Sequence, residues 1–335
     1  MGFTTFGEIM LRLTPSNHAG KINTAQSFGV HYAGSESNVA SSLAILGNTV
    51  QFVTKIPLNG VGDGCMMSLQ NFGISTKNIL RGGARIGTYF VEIGLSIRPS
   101  SVIYDRADSA ISAIHPNEFD WETILKGQQW LFISGITPAL SKNCAEETIK
   151  VAKIAKQMGV KVSFDMNFRR TLWKDKSDAR TKFDAILEHT DLLFGNAGVL
   201  KDVYDIEAKG NNTLDTTLDA LETAKKQFGL EQLAFTVRNH NSASENILSG
   251  VCSMNGKTMV SNKYRVEIMD RFGTGDAFAA GFLHGLGKEW DVDKTLGFAT
   301  AAFALKHTIK GDQHTSSEKE IISIMEGNTS GHVIR

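Results

Sequence analysis

Residues 270–281 read DRFGTGDAFAAG. Gly273 and Gly275 flank Thr274, Asp276 follows at once, and the chain then becomes small and apolar. Glycine permits positive φ and close backbone approach. If Asp276 opens a helix, the N–H groups of residues 273–276 have no intrahelical partner, and their partial positive charge suits an anion, most naturally a phosphate. An acid at that end can take a proton from a hydroxyl while the loop neutralises charge developing on a phosphoryl group. The same residues also fit a plain helix cap, because Asp before a helix and Gly in a turn are both common. On this stretch alone both readings stay open.

The segments around it alternate. WLFISG, VKVSFDMN, DLLFGN and QLAFTV read as strands; CAEETIKVAKIAKQMG, SDARTKFDAILEHT and LDALETAKKQFG between them read as helices, and KTLGFATAAFALKHTIKG as a helix after the opening stretch. This pattern predicts an α/β fold with a mainly parallel central sheet covered on both faces. In such sheets ligands bind outside the carboxyl ends of the strands, where Ser134, Asp165 to Arg169, Asn196 and Thr236 to Arg238 fall. Nearer the start, TTFGEIMLRL reads as a strand running into a second extended piece. SESNVASSLAILG is a helix stopped by Gly47, LNGVGDG a turn, and CMMSLQNFG a short helix. Residues 87–104 break into short β-like pieces at Gly94 and Pro99, a hairpin-like excursion.

Composition limits the function classes. The 335 residues carry 35 basic and 35 acidic side chains, so no basic stripe for nucleic acid or an anionic membrane surface is expected. Cys65, Cys144 and Cys252 lie far apart without a CxxC, as in reduced thiols. No stretch has the ~18 apolar residues of a membrane span, and no secretory leader is read at the start, so a soluble cytoplasmic location is expected. A GxxxxGK[ST] phosphate loop is absent, and Gly60 to Gly64 lacks the third glycine of a dinucleotide fingerprint, which excludes a dehydrogenase of that kind.

Five further segments change the weight of the opening stretch: GSESNVA at 34–40, YDRADSA at 104–110, DMNFR at 165–169 followed by Leu172 and Trp173, Arg238 ahead of SASEN at 242–246, and LKHT at 305–308 leading to Gly311 and Asp312. In this order, over residues 1–320 or so, the set resembles the ribokinase-like (PfkB) sugar kinases, and among them the kinases of 2-keto-3-deoxygluconate. The resemblance implies a three-layer α/β core at 1–9, 35–86 and 114–325, with a small β-sheet lid inserted at 10–34 and 87–113.

It also implies roles. Asp276 becomes the catalytic base toward the 6-hydroxyl of the sugar acid, and the N–H groups of Gly273, Thr274 and Gly275 the anion hole. Gly34 and Asn38 line the sugar site; Tyr89, Tyr104 and Arg106 grip the keto acid; Arg169 reaches across the cleft; Asp312 is a late acid near the sugar. Asn167, Asn196, Thr236 and Arg238 sit on the nucleotide side, with Ala301 and Ala304 lining the adenine slot. ATP and Mg²⁺ are the implied cofactors, with a monovalent cation as a further candidate, and a homo-oligomer, a dimer through the lid, is the implied assembly. Two arginines on separate loops agree with a carboxylate-bearing substrate, since guanidinium pairs bidentately with planar anions.

Four positions depart from the family pattern. Val199 stands where an acid helps organise Mg²⁺, Thr274 where Ala or Gly is usual, Ala33 before Gly34 in place of glycine, and Lys310 before Gly311 in place of proline. Two other readings follow: a kinase of a neutral sugar such as fructose or ribose, which the paired Arg106 and Arg169 oppose, and a non-catalytic sugar-binding pseudokinase, which Val199 motivates.

Overall fold

The segment TTFGEIMLRL divides between two sheets. Its first part is strand β1 (Gly2–Phe6) and its second β2 (Met10–Pro15). The break falls at Gly7, whose N–H still bonds the Val53 carbonyl at 3.2 Å, and where any Cβ would run into the Glu36 carboxylate. The chain leaves one sheet there and starts the other.

The computed structural model describes residues 1–17 and 20–331. Strands β3 to β7 are Phe28–Ala33, Thr49–Ile56, Ile79–Arg81, Gly87–Glu92 and Ser101–Asp105. Strands β8 to β14 are Trp130–Ser134, Lys161–Asp165, Leu192–Gly195, Gln232–His240, Glu245–Met254, Lys257–Val260 and Tyr264–Glu267. Helices α1 to α5 are Ser35–Ile45, Gly60–Asn71, Trp121–Leu125, Lys142–Gln157 and Lys176–Leu187; α6 to α10 are Ala197–Tyr204, Thr213–Phe228, Thr274–Gly287, Val292–Lys306 and Glu318–Met325.

The large sheet runs β13-β12-β11-β10-β9-β8-β1-β4-β5, with β14 also pairing β12. From β11 to β5 every pairing is parallel; β12, β13 and β14 add antiparallel strands at one edge. Side chains alternate along the parallel strands. Phe3, Phe52, Phe132 and Phe194 pack on α1, α8 and α9; Leu131, Val162, Phe164 and Leu233 pack on α4, α5 and α7. Two apolar cores thus sandwich the sheet, as expected for a parallel sheet with crossover helices.

A second sheet of four strands has the order β3-β2-β6-β7. Met10, Ala33, Tyr89 and Val91 form a small core on one face, and the other leaves Val30 and Ile103 more than half exposed. The sequence reading differs from the structure in helix α2, which begins at Gly60 and takes in the glycines read as a turn. The Asn59 side chain accepts from the Val61 and Gly62 N–H groups at 3.1 Å, so a strong cap starts the helix despite them. No helix among the described residues is long and apolar enough to cross a membrane.

Candidate active site

Beyond the carboxyl ends of β9, β10 and β11 the structure opens a cleft of about 520 Å³. One wall is the amino end of α8. Its N-cap is Gly273, in the left-handed region at φ 72°, with no side-chain cap. The first N–H groups of the helix therefore lack both intrahelical and capping partners at the cleft wall. A Cβ at Gly273 would collide with the Asp312 carbonyl, so both conformation and space demand glycine there.

Asp276 is on the first turn of α8 and is almost wholly buried. Ser35 Oγ donates to one carboxylate oxygen and Asn38 Nδ2 to the other, each at 2.7 Å. Both donors come from the first turn of α1, and Asn167 Nδ2 donates in turn to Ser35 Oγ at 3.0 Å. Burial pushes the carboxyl up to about 7, against the two hydrogen bonds, with Asp165 and Asp312 adding to the rise. A base is most effective with a pKa near the working pH. Asp165 is itself raised to about 6 by burial, with its Oδ1 accepting from the Asn167 N–H at 3.1 Å. Asn167 holds φ 28°, an uncommon conformation for a side-chain-bearing residue.

Of the residues singled out in the sequence, Asn167, Arg169, Asn196, Thr236, Arg238, Gly273, Thr274, Gly275 and Asp276 all line this cleft. Arg169 is exposed; its carbonyl accepts from the Leu172 N–H at 2.9 Å, and its guanidinium, whose charge acts on Asp165, makes no side-chain hydrogen bond or ion pair among the described residues. Thr274 is integrated into the loop: its Oγ1 accepts from Arg238 Nη2 at 2.8 Å and donates to the Arg271 carbonyl at 3.1 Å. Arg238 lies over the Phe303 ring, and burial with Arg271 nearby pulls its pKa down to about 10. Asn196 caps α6 by accepting from the Val199 N–H at 3.1 Å. Val199 packs in the core while touching the cleft.

The remaining candidates lie elsewhere. Gly34 is the N-cap of α1 and presses on the Glu8 carbonyl, leaving no room for a Cβ. Arg106 is buried and paired with Glu8, from Nε at 2.8 Å and from Nη2 as well. Tyr89 is buried and donates to Asp312 Oδ2 at 2.9 Å, while Tyr104 stacks on it with ring centroids 5.9 Å apart. The other Asp312 oxygen takes Arg12. Ala301 and Ala304 do not line the cleft. Both are buried in the core on α9, which packs tightly on α8 through small residues such as Gly281, Ala299 and Ala302.

Sequence reasoning passed over Ser35, Arg12, Asp270 and Glu36. Ser35 sits inside the quoted GSESNVA run, whose density of small polar residues at a helix start was the available signal. Arg12 shares the inward face of β2 with Met10 and Thr14, visible from alternation as a charge on an apolar face. Glu36 is fully buried, accepts from Ser134 and Thr137 at 2.7 and 2.8 Å, and is pushed up to about 7 by burial.

Residues 3–319 match the family of pfkB family carbohydrate kinases. The chain belongs to that family, and with it to the phosphotransferase enzymes. It is 31% identical to a 2-dehydro-3-deoxygalactonokinase of Haloferax volcanii, over 98% of this chain and 97% of that one. Its structure is similar to the crystal structure of 2-dehydro-3-deoxygluconokinase from Thermotoga maritima, with a TM-score of 0.94, 41% identity, and coverage of 98% of this chain and 100% of the other. A PfkB family carbohydrate kinase from Listeria grayi superposes with a TM-score of 0.91 at 32% identity, over 97% of this chain and 100% of that one. The large mainly parallel sheet with a smaller separate sheet is the ribokinase-like fold.

Proposed function

We propose that the protein transfers a phosphoryl group from ATP to the primary 6-hydroxyl of a 2-keto-3-deoxy sugar acid, 2-keto-3-deoxygluconate or its galactonate epimer. The observation that carries this reading is the Asp276 carboxylate, held by Ser35 and Asn38 beside the uncapped end of α8 on the cleft wall. With one lone pair of each oxygen occupied by these donors, the carboxylate keeps a fixed orientation toward the cleft. There it takes the hydroxyl proton as the oxygen attacks. The N–H groups of Gly273, Thr274 and Gly275 meet the charge that develops on the phosphoryl oxygens, with no reorganisation needed at that moment. Arg238 and Thr236 lie on the nucleotide side. The small sheet acts as a lid that keeps water from the phosphoryl group.

Mg²⁺ fits this cleft as an ion carried in with the nucleotide. Among the described residues no three His, Cys, Asp or Glu come together, and Val199 supplies no acid. Mg²⁺ keeps several waters and takes ligands from phosphates, so Asp165 and Asn196 would hold it through water. When bound it would neutralise phosphate charge.

The substrate assignment is supported by the likeness to a 2-dehydro-3-deoxygalactonokinase and a 2-dehydro-3-deoxygluconokinase and by the exposed guanidinium of Arg169 on the cleft wall. The pairing of Arg106 with Glu8 favours a second reading, a neutral sugar, because it uses two guanidinium donors that a carboxylate would otherwise take. An ADP-release assay with 2-keto-3-deoxygluconate, the galactonate epimer, fructose and ribose separates the two. The sugar acids should turn over with kcat/KM about 10- to 100-fold above the neutral sugars, the effect of one hydrogen bond to a charged group worth about 1.5–3 kcal/mol. Comparable rates on all four would contradict the sugar-acid reading.

A further inference from the structure

We propose that Arg12 is the positioning residue that ties the small sheet to the amino end of α8 and holds the anion-binding loop in its working shape, an inference that rests on the role given above to Asp276 and that loop. Arg12 sits on β2 in the small sheet and is 1% exposed. Its Nη2 donates to Asp270 Oδ2 at 2.7 Å, its Nη1 to an oxygen of Asp312, and its Nε to Thr14 Oγ1 at 3.0 Å. The guanidinium lies over the Phe272 ring, 5.1 Å from its centroid.

Each carboxylate it grips is built into the loop. Asp270 Oδ1 accepts from the Phe272 N–H at 3.1 Å and its Oδ2 from the Gly311 N–H at 3.0 Å. Phe272 immediately precedes Gly273. Asp312 receives Tyr89 from the neighbouring strand β6, and its carbonyl lies against Gly273 with no room for a Cβ between them. A shift of either acid therefore moves the residue whose left-handed turn points the N–H groups of α8 at the cleft. A planar guanidinium presents donors to two carboxylates and a hydroxyl in one fixed fork; an ammonium has three donors, but at one point on a flexible stem.

The charges that face this junction are few. Arg12, Lys306 and His31 stand near Asp270 and Asp312, Arg271 near Asp270, and Lys310 near His31, with the Tyr89 phenol on Asp312. Asp165, Asp312 and Lys306 stand near Asp276. Removing Arg12 leaves Lys306 and Arg271 as the cations beside these acids, and the added negative field raises the proton affinity of Asp276. A role confined to stability has no such consequence.

Arg12→Met and Arg12→Lys test this in the full chain, with ATP and whichever substrate of the panel turns over fastest. ADP release is followed from pH 5.5 to 9 and thermal unfolding in parallel. Arg12→Met should lower kcat about tenfold or more while both KM values stay within about threefold, the signature of an interaction used in the transition state. The acidic limb of its pH profile should move to higher pH. Arg12→Lys should recover part of kcat and bring the limb partway back. A variant that melts earlier yet keeps the parental kcat and limb, or that changes KM alone, overturns the proposal. If Arg12→Met does not fold, Arg12→Lys decides by itself: parental kcat and limb overturn it. Asp276→Asn, run alongside, keeps the two ideas apart. An active Asp276→Asn removes the base assignment, whereas an inactive one beside an undisturbed Arg12→Met removes only the role of Arg12.

Discussion

Asp276 carries a cost that the rest of the molecule absorbs. A carboxyl held at about 7 by burial is ionised in the folded protein against its surroundings. The unfolded chain ionises it near the ordinary value, so the folded state loses relative stability as pH rises from about 4 to about 7, and the loss is complete above that. Asp276→Asn removes the charge but also weakens the bonds from Ser35 and Asn38. The variant should be more stable than the parent at pH 8, by about 1–3 kcal/mol after those bonds are discounted, with little gain at pH 5. Urea unfolding at the two pH values measures this; a variant less stable at pH 8 would show that the buried charge is better compensated than Ser35 and Asn38 make it. Such a trade is expected where a site is built for chemistry rather than for stability. Thr274, a departure from the family habit, is explained at this scale: its hydroxyl links Arg238 to the Arg271 carbonyl, a job alanine or glycine could not do.

At the scale of elements, the position of Asp276 depends on how α8 is seated. Gly281 lets α8 approach α9 closely: a Cβ there would lie 2.9 Å from Ala299 Cα and 3.4 Å from Ala302 Cβ. Since a backbone atom cannot give way, Gly281→Val should destabilise by about 1–3 kcal/mol through overpacking, and by displacing α8 should lower kcat more than it changes KM. A lower urea midpoint with unchanged kcat would separate helix seating from catalysis. The parallel strands were legible in the sequence because WLFISG, VKVSFDMN, DLLFGN and QLAFTV are short apolar runs between helical periods. Helix α2 was half legible, since glycines hid a start that Asn59 enforces. The antiparallel strand Glu245–Met254 was not read at all. It is buried along most of its length, so it shows no alternation to mark it. The small sheet was visible as a change of style at 87–104, but its joining of β2 to β6 in parallel connects residues far apart in the chain, and no local signal encodes that.

On the scale of the whole molecule, the two sheets are joined by hydrogen bonds at separate points. The small sheet reaches the core through Arg12 and Tyr89 and again at a hairpin tip, where the Ser96 N–H donates to Ser244 Oγ at 2.7 Å and the Ala243 N–H to the Ser96 carbonyl at 2.9 Å. Ala243 in turn accepts from Arg271, two residues before the Gly273 turn. The cleft-lining part of the site was legible because its residues cluster at strand ends and at the start of α8. The bridging part was not, because Arg12 and Asp312 are 300 residues apart and each reads alone as an ordinary charge. Likewise Ala301 and Ala304, which the family resemblance assigns to the adenine slot, are buried in the core on α9 and do not line the cleft.

Whether Asp276 is the base at the open end of α8 is decided by the pH dependence of kcat/KM for the sugar acid, measured on the parent and on Asp276→Asn. A base at Asp276 gives a parental profile that falls on the acidic side through about pH 7, and an Asp276→Asn rate about 10²–10⁴-fold lower with that limb gone. An Asp276→Asn protein that keeps the parental rate, or that keeps the same acidic limb, would contradict it.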